Sequence, residues 1–242
     1  MKAVCERHRA LFIMDEVLSG MGRTGTMHAW EQEGIVPDLQ TVAKGLGGGY
    51  APIGALLVNK RVVEVLAKGS GAYSHSQTYQ GHPIACAAAL EVQKVIKEQN
   101  LLANVRRQGV YLSEQLKQRL RYHPNVGDIR GRGLLWGVSI PVNIMSIYKE
   151  RTSLKQAFSI QIELVKTKAT KEPFPASEKV SAKIHALGLS PEHGICFLAA
   201  NGTMEGKKGD YIALAPPYTV TEEEVNLIVD RTEKVIQAFF GY

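Results

Sequence analysis

The sequence predicts an α/β protein followed by a second, α+β layer, and three observations carry that expectation. Apolar runs that close in polar residues, "ALFIMDEV" at 10–17 and "PDLQTVAKGL" at 37–46, alternate with helical stretches in the first hundred residues. A glycine-rich loop follows each run, so that polar groups fall at the carboxyl ends of strands, where open α/β sheets place their ligands. From about residue 100 the order changes to a long helix, then strands and a terminal helix.

Taken in order, "KAVCERHR" reads as the end of an amphipathic helix. "ALFIMDEV" is a continuous apolar run, the pattern of a strand buried on both sheet faces, with Asp15 at its carboxyl end. The loop "LSGMGRTGTM", a short helix around Trp30 and a second strand ending at Lys44 follow. "IGALLVN" is a third strand, and "KRVVEVLAKG" a helix leaving it. "HPIACAAALEVQKVIKEQ" is a strong helix with Pro83 suited to its first turn, and a further helix runs through about Leu120. "NVGDIRGRGLLWGVSI" reads as turn then strand. "YIALAPPYTVTEEEVNLIVDRTEKVIQAFF" reads as strand, proline stop and terminal helix, whose start carries a capping box of Thr221 and Glu224. The expected division is residues 1–100 and 101–242.

Composition narrows the class. With 242 residues, 45 % of them apolar, there is enough material for a core in one large domain or two modest ones. The net charge of +6 comes from basic residues spread along the chain; the densest region, 149–183, mixes in acids and lacks interleaved aromatics, which argues against nucleic-acid binding. Cys5, Cys86 and Cys196 have no metal-ligand spacing and suggest a reducing compartment. No apolar run approaches the ~20 residues of a membrane span, and "MKAVCERHRA" has no signal-peptide core, so a soluble, cytoplasmic protein is expected.

Lys44 is the residue that asks for a chemical explanation. It closes an apolar run and is followed by four glycines within five residues, and an amine in such a place must be paired, solvated or neutralised. Phosphate-loop readings fail: "GLGGGY" lacks the last glycine of G-x-G-x-x-G, and Lys44 precedes the loop that a P-loop lysine would follow. A lysine beside permissive backbone, with an aspartate on a neighbouring strand end, suits a Schiff base to an aldehyde cofactor. Such chemistry needs an unprotonated amine, which partial burial favours. A carboxylate facing a pyridine nitrogen would keep that nitrogen protonated, a role open to Asp15. Spacing alone leaves an ordinary strand-end ion pair, Asp15 with Arg23 or Lys44 with Asp38, equally open.

The stretch "LFIMDEVLSGMGRTGTMHAWEQEGIVPDLQTVAKGLGGGYAPIGALLV" resembles the signature of the class III pyridoxal-phosphate-dependent aminotransferases. "TYQGHPIACAAALEV" and "GDYIALAPPYTVTEEEV" are similar to two further stretches of that family, in the same order, and the likeness is weakest across 141–200. The resemblance implies a type I fold, with a partial large-domain sheet in 1–100 and an α+β small C-terminal domain in 101–242. It also implies pyridoxal phosphate as cofactor and transfer of an amino group from an amine or amino acid to a keto acid or aldehyde. Lys44 matches the lysine that forms the Schiff base and shuttles the proton. Asp15 matches the partner of the pyridine nitrogen. Val17 matches the apolar residue against one ring face, a role for which plain core packing is an equal alternative. Thr78 matches a hydroxyl offered to the cofactor phosphate of the other subunit, which implies a homodimer. His82 reads as a helix-entry group.

Two departures qualify this picture. The segment "NGTMEGKKGD" has Lys207 and Lys208 where many members carry an arginine for a substrate carboxylate, and a lysine lacks the bidentate fork. Arg130 and Arg132 are alternatives, although a glycine-rich turn would leave them solvated. Family chains are also nearly twice as long. The expectation is half of an active site, without the phosphate loop and the ring-stacking aromatic, and with an apolar sheet edge and face; either a partner chain supplies the cover, or the sequence is a truncated product or gene model. Other reactions of the same cofactor (decarboxylation, epimerisation, amino migration), a truncated non-catalytic paralogue, and a mitochondrial location directed by an absent leader are the competing readings.

Overall fold

The computed structural model describes residues 1–72, 74–137 and 162–242, with the side chains of 136 and 137 excepted. Within these, Met1–Ala103 and Asn104–Tyr242 form two compact units.

The first unit is built on a three-stranded sheet of order β1-β2-β3, with β1 at Ile13–Asp15, β2 at Leu39–Val42 and β3 at Ala55–Val58. β1 and β2 are parallel, which puts Asp15 beside Thr41, and β3 returns antiparallel with Ala55 beside Val42. Helix α1 (Lys2–Arg7) precedes the sheet; α2 (Lys60–Lys68) and α3 (Pro83–Glu98) follow it. The His82 side chain caps α3, accepting from the Ala85 backbone N–H at 3.4 Å, and Pro83 occupies the first turn.

The expectation that "ALFIMDEV" is a strand buried on both faces is corrected. Only three residues pair, β1 is an edge strand, and Ile13 is 57 % exposed because no described element covers its face. On β3, Leu56 and Leu57 are likewise exposed, and every residue of α2 except half-buried Val62 is exposed. The buried side of the sheet holds Phe12 and Val42. Asp38 fastens the start of β2 by accepting from the Phe12 N–H at 2.8 Å and from Arg61 Nε at 2.7 Å.

The second unit is an antiparallel sheet with helices packed into a larger core. Its strands are β4 (Val126–Arg132), β5 (Leu135–Gly137), β6 (Ile162–Thr167), β7 (Glu172–Pro173), β8 (Leu198–Met204) and β9 (Lys208–Leu214), in the order β7-β6-β4-β5-β9-β8 with β6 also pairing β9. Helix α4 (Leu101–Leu120) begins at the end of the first unit and runs into this one; α5 (Val180–Gly188) and α6 (Glu222–Phe240) complete it. Alternate strand residues such as Ile162, Leu164 and Ile212 are fully buried with Leu112, Leu116 and Val229. α6 opens with the expected reciprocal cap between Thr221 and Glu224.

"NVGDIRGRGLLWGVSI" is a hairpin rather than a turn and one strand. Gly133 turns the chain at φ +53° between β4 and β5, and residues 138–140 lie outside the described residues. Arg130 and Arg132 therefore stand half-buried on β4, not in a solvated turn, and Arg130 pairs with Asp128 at 3.2 Å.

One carboxyl in this sheet governs how its stability depends on pH. Glu163 on β6 is 2 % exposed, lies between Asp128 of β4 and Tyr211 of β9 in the register, and leaves Oε2 without a hydrogen bond. Burial pushes its carboxyl up from the ordinary 4.5 to about 7; Lys171 and Arg130 oppose the rise and Asp128 adds to it. Between those values the folded chain holds a proton that the unfolded chain has released. Stability is therefore full below the window and falls through it as pH rises, by about 3 kcal/mol in total. His123 acts in the opposite sense, since burial lowers its pKa below 6.5 and favours the folded chain as pH rises toward that value. Comparison with Glu163→Gln isolates the carboxyl: from pH 5 to pH 8 the wild type should lose urea resistance relative to the variant. Parallel curves for the two proteins would overturn this account.

Candidate functional site

The parallel pairing of β1 with β2 brings two of the sequence-predicted residues to the same edge of the sheet. Asp15 ends β1, and Lys44 begins a 3-10 turn, Lys44–Leu46, two residues after β2 ends at Val42. Lys44 is thus past the strand end and exposed, not partly buried in it, and its backbone sits at φ +39°. The ion pairs that spacing left open are not formed. Asp38 is taken by Arg61, and Lys44 makes no ion pair or side-chain hydrogen bond with any described residue.

Asp15 is held by one oxygen. Oδ1 accepts from the Val17 backbone N–H and from Thr41 Oγ1, both at 3.0 Å, whereas Oδ2 takes no hydrogen bond from a described residue. The carboxylate is exposed yet oriented, with a free oxygen. Val17 is half-buried and lies in the turn after β1 rather than farther along the strand. Thr78 is exposed in the turn that leads to α3, four residues before the His82 cap.

Close approach accounts for two of the glycines in the loop after Lys44. A Cβ on Gly47 would lie 2.6 Å from the Ala51 carbonyl oxygen, and one on Gly48, at φ +59°, would press on Val92 of α3 at 3.1 Å. From the same helix, Gln93 Nε2 donates to the carbonyls of Leu46 at 3.0 Å and Gly45 at 3.4 Å.

Sequence reasoning missed a second carboxylate beside the first. Glu16 is fully buried, and its two oxygens accept from the Ala29 N–H at 2.8 Å, the Trp30 N–H at 2.8 Å and Gln40 Nε2 at 2.9 Å. It thereby caps the short 3-10 helix Ala29–Glu33 and ties the loop after Asp15 down to β2. Gln40 extends the network to Trp30 Nε1 and His28 Nδ1, both at 2.9 Å. The available signal was Gln40 itself, a polar residue inside the apolar run "DLQTV" that must be answered by another polar group. Of the cationic alternatives for a substrate carboxylate, Lys207 and Lys208 sit exposed at the turn between β8 and β9.

This donor set fits a pyridine aldehyde. An amine with no partner among the described residues, an oriented carboxylate and glycine backbone that permits close approach suit a Schiff-base site for pyridoxal phosphate. The fold and these residues define a class, and comparison with known proteins gives its membership. The model of the class III aminotransferase family matches residues 1–236, and the chain belongs to that family. It is 44 % identical over 241 residues to an aminotransferase of Gibberella zeae, covering 100 % of this chain and 42 % of that protein. It is 35 % identical to the diaminobutyrate–2-oxoglutarate transaminase of Halomonas elongata, with 97 % of this chain and 44 % of that one covered. Among solved structures, an (S)-enantioselective omega-transaminase from Thermomicrobium roseum superposes with a TM-score of 0.80 at 32 % identity, over 98 % of this chain and 45 % of that one. The chain has the transaminase fold and spans about half the length of the curated relatives it matches. Among the described residues, no helix is long and apolar enough to cross a membrane.

Proposed function

We propose that this chain is part of a pyridoxal-phosphate-dependent transaminase in which Lys44 carries the cofactor and Asp15 partners its ring nitrogen. The observation that carries the reading is an amine and a carboxylate oxygen, neither with a partner among the described residues, both at the carboxyl ends of neighbouring parallel strands in a class III aminotransferase chain. When bound, the cofactor supplies an electron sink for the carbanion formed as the substrate carbon loses its proton. Lys44 Nζ is the group that takes that proton and returns it, and its exposed position beyond the strand leaves it room to swing between the two tasks. The Asp15 carboxylate would partner the ring nitrogen and keep it protonated, and Val17, tied to Asp15 through its backbone N–H, would supply apolar contact to the ring. Residues 1–100 read as the remainder of the cofactor-binding large domain and 101–242 as the small C-terminal domain.

The substrates are an amine or amino-acid donor and a keto-acid or aldehyde acceptor. Relatives named for diaminobutyrate and gamma-aminobutyrate, together with the omega-transaminase among the structures, support an amine or amino-acid donor. The exposed free thiols Cys86 and Cys196 support a reducing compartment, the cytoplasm. The whole protein of which this chain is part, mixed with pyridoxal phosphate, should gain the absorbance of a lysine-bound cofactor and transfer amino groups to a keto acid. No absorbance change and no transfer across a panel of amines and keto acids would overturn the reading.

Thr78 serves the cofactor phosphate of a second copy, so the working species is a homodimer. In a mixture of Lys44→Ala and Thr78→Ala subunits, hybrid dimers should regain one intact site and part of the lost rate. No recovery after verified subunit exchange would show that Thr78 does not act across subunits.

A further inference from the structure

The loop that carries Lys44 is anchored by a side chain that comes from far along the chain, and its chemistry suits that task. Lys44–Leu46 is a single 3-10 turn closed by backbone bonds from Leu46 N to Ala43 O at 2.8 Å and from Gly48 N to Lys44 O at 2.9 Å. A turn this short leaves its last carbonyls without partners inside the turn, and the four glycines around it give the unfolded loop many alternative conformations. Lys44 itself is held in the left-handed region at φ +39°, which costs a non-glycine residue roughly 1 kcal/mol or more and persists only where surrounding contacts enforce it. Two of those contacts come from α3. Val92 occupies the space that a Cβ on Gly48 would enter, and the Gln93 amide spans the carbonyls of Gly45 and Leu46, which accept from no other described residue.

We infer that Gln93 is a positioning residue for Lys44: its amide clamps the Gly45 and Leu46 carbonyls and thereby fixes the turn from which the Lys44 amine reaches its target. Its amide donates to backbone carbonyls of the turn, so the proposed effect is exerted through that backbone. Geometry decides the residue type. A donor with two N–H groups is needed to face two carbonyl oxygens; methionine has the length but no donor, and glutamate has the shape but presents acceptors to acceptors. The inference rests on the proposed role of Lys44, and two separate measurements keep the two claims apart.

The first measurement is amide hydrogen exchange across residues 44–50 in the wild type, Gln93→Met and Gln93→Glu, without added cofactor. Loss of the clamp should speed exchange of the Leu46 and Gly48 amides about five- to tenfold, the factor that one net hydrogen bond provides, and leave protection in α6 unchanged. Acidification should bring Gln93→Glu back toward the wild type, because a protonated carboxyl can donate to one carbonyl. The second measurement is the rate at which pyridoxal phosphate and borohydride label Lys44, read by peptide mapping; both variants should be labelled several-fold more slowly at unchanged thermal midpoint. Wild-type exchange rates in the turn for Gln93→Met would overturn the clamp whatever the labelling shows. Faster exchange with equal labelling of Lys44 would overturn its effect on the amine. Label on a different lysine in the wild type would overturn both the role of Lys44 and the claim that Gln93 positions a reacting amine.

Discussion

Lys44→Ala should abolish the borohydride-fixed pyridoxyl group and lower amino transfer by at least about a thousandfold. Two losses combine. In the proposed reading the substitution removes both the amine that would hold the cofactor and the general base and acid that would move the proton at the substrate carbon, a role worth about 10²–10⁴ in rate by itself. Folding should be little affected. Lys44 is exposed and makes no side-chain contact of the ion-pair or hydrogen-bond kind with a described residue, and alanine at a left-handed position replaces one strained residue by another. Because the lost proton carrier is a simple amine, small primary amines added to the solution should restore part of the rate in proportion to their concentration, and the restored fraction should grow with amine basicity. A variant that keeps its pyridoxyl label on another residue, or that transfers amino groups at the wild-type rate, would remove Lys44 from the mechanism.

The parts of this site that were legible in the sequence are those whose meaning is local. Lys44 announces itself because four glycines follow it directly, and the start of α6 is readable because Thr221 and Glu224 lie three residues apart and answer each other's backbone. His82 followed by Pro83 marks the entry to α3 for the same reason. The groups that escaped are defined by partners far away in the chain. Glu16 looks like a second strand-end acid, and only the return of the chain through Ala29, Trp30 and Gln40 turns it into a buried cap. Gln93 is an unremarkable polar residue of a helix until the fold lays that helix against carbonyls 47 and 48 positions earlier. Burial was misjudged at Ile13 because apolar composition tells what a strand prefers, not what lies over it, and no described element covers the sheet face that Ile13 occupies.

Asp15→Asn should reduce the rate by about 10²–10³ while leaving the fold intact, and the hydrogen bonds around Asp15 explain why the two effects separate. Both of its protein contacts, from the Val17 N–H and from Thr41 Oγ1, fall on Oδ1. Asparagine retains a carbonyl oxygen in that place, so the two bonds survive and the side chain keeps its direction; what disappears is the negative charge on the free side. A neutral amide cannot stabilise a proton on a pyridine nitrogen as a carboxylate does, and removal of one preorganised electrostatic partner typically costs ~3–4 kcal/mol of barrier. The thermal midpoint should move little, since Asp15 is exposed and its bonding is preserved. Thr41→Val supplies the complementary case: it keeps the charge and removes one of the two bonds that aim it, so a smaller loss of about three- to tenfold is expected, in line with one net hydrogen bond. In the double variant the Thr41 effect should largely vanish, because orientation of a group matters only while that group carries the charge. If Asp15→Asn transfers amino groups as fast as the parent, or if the two substitutions act independently, the carboxylate has a structural part only, and the ring nitrogen must find its partner elsewhere.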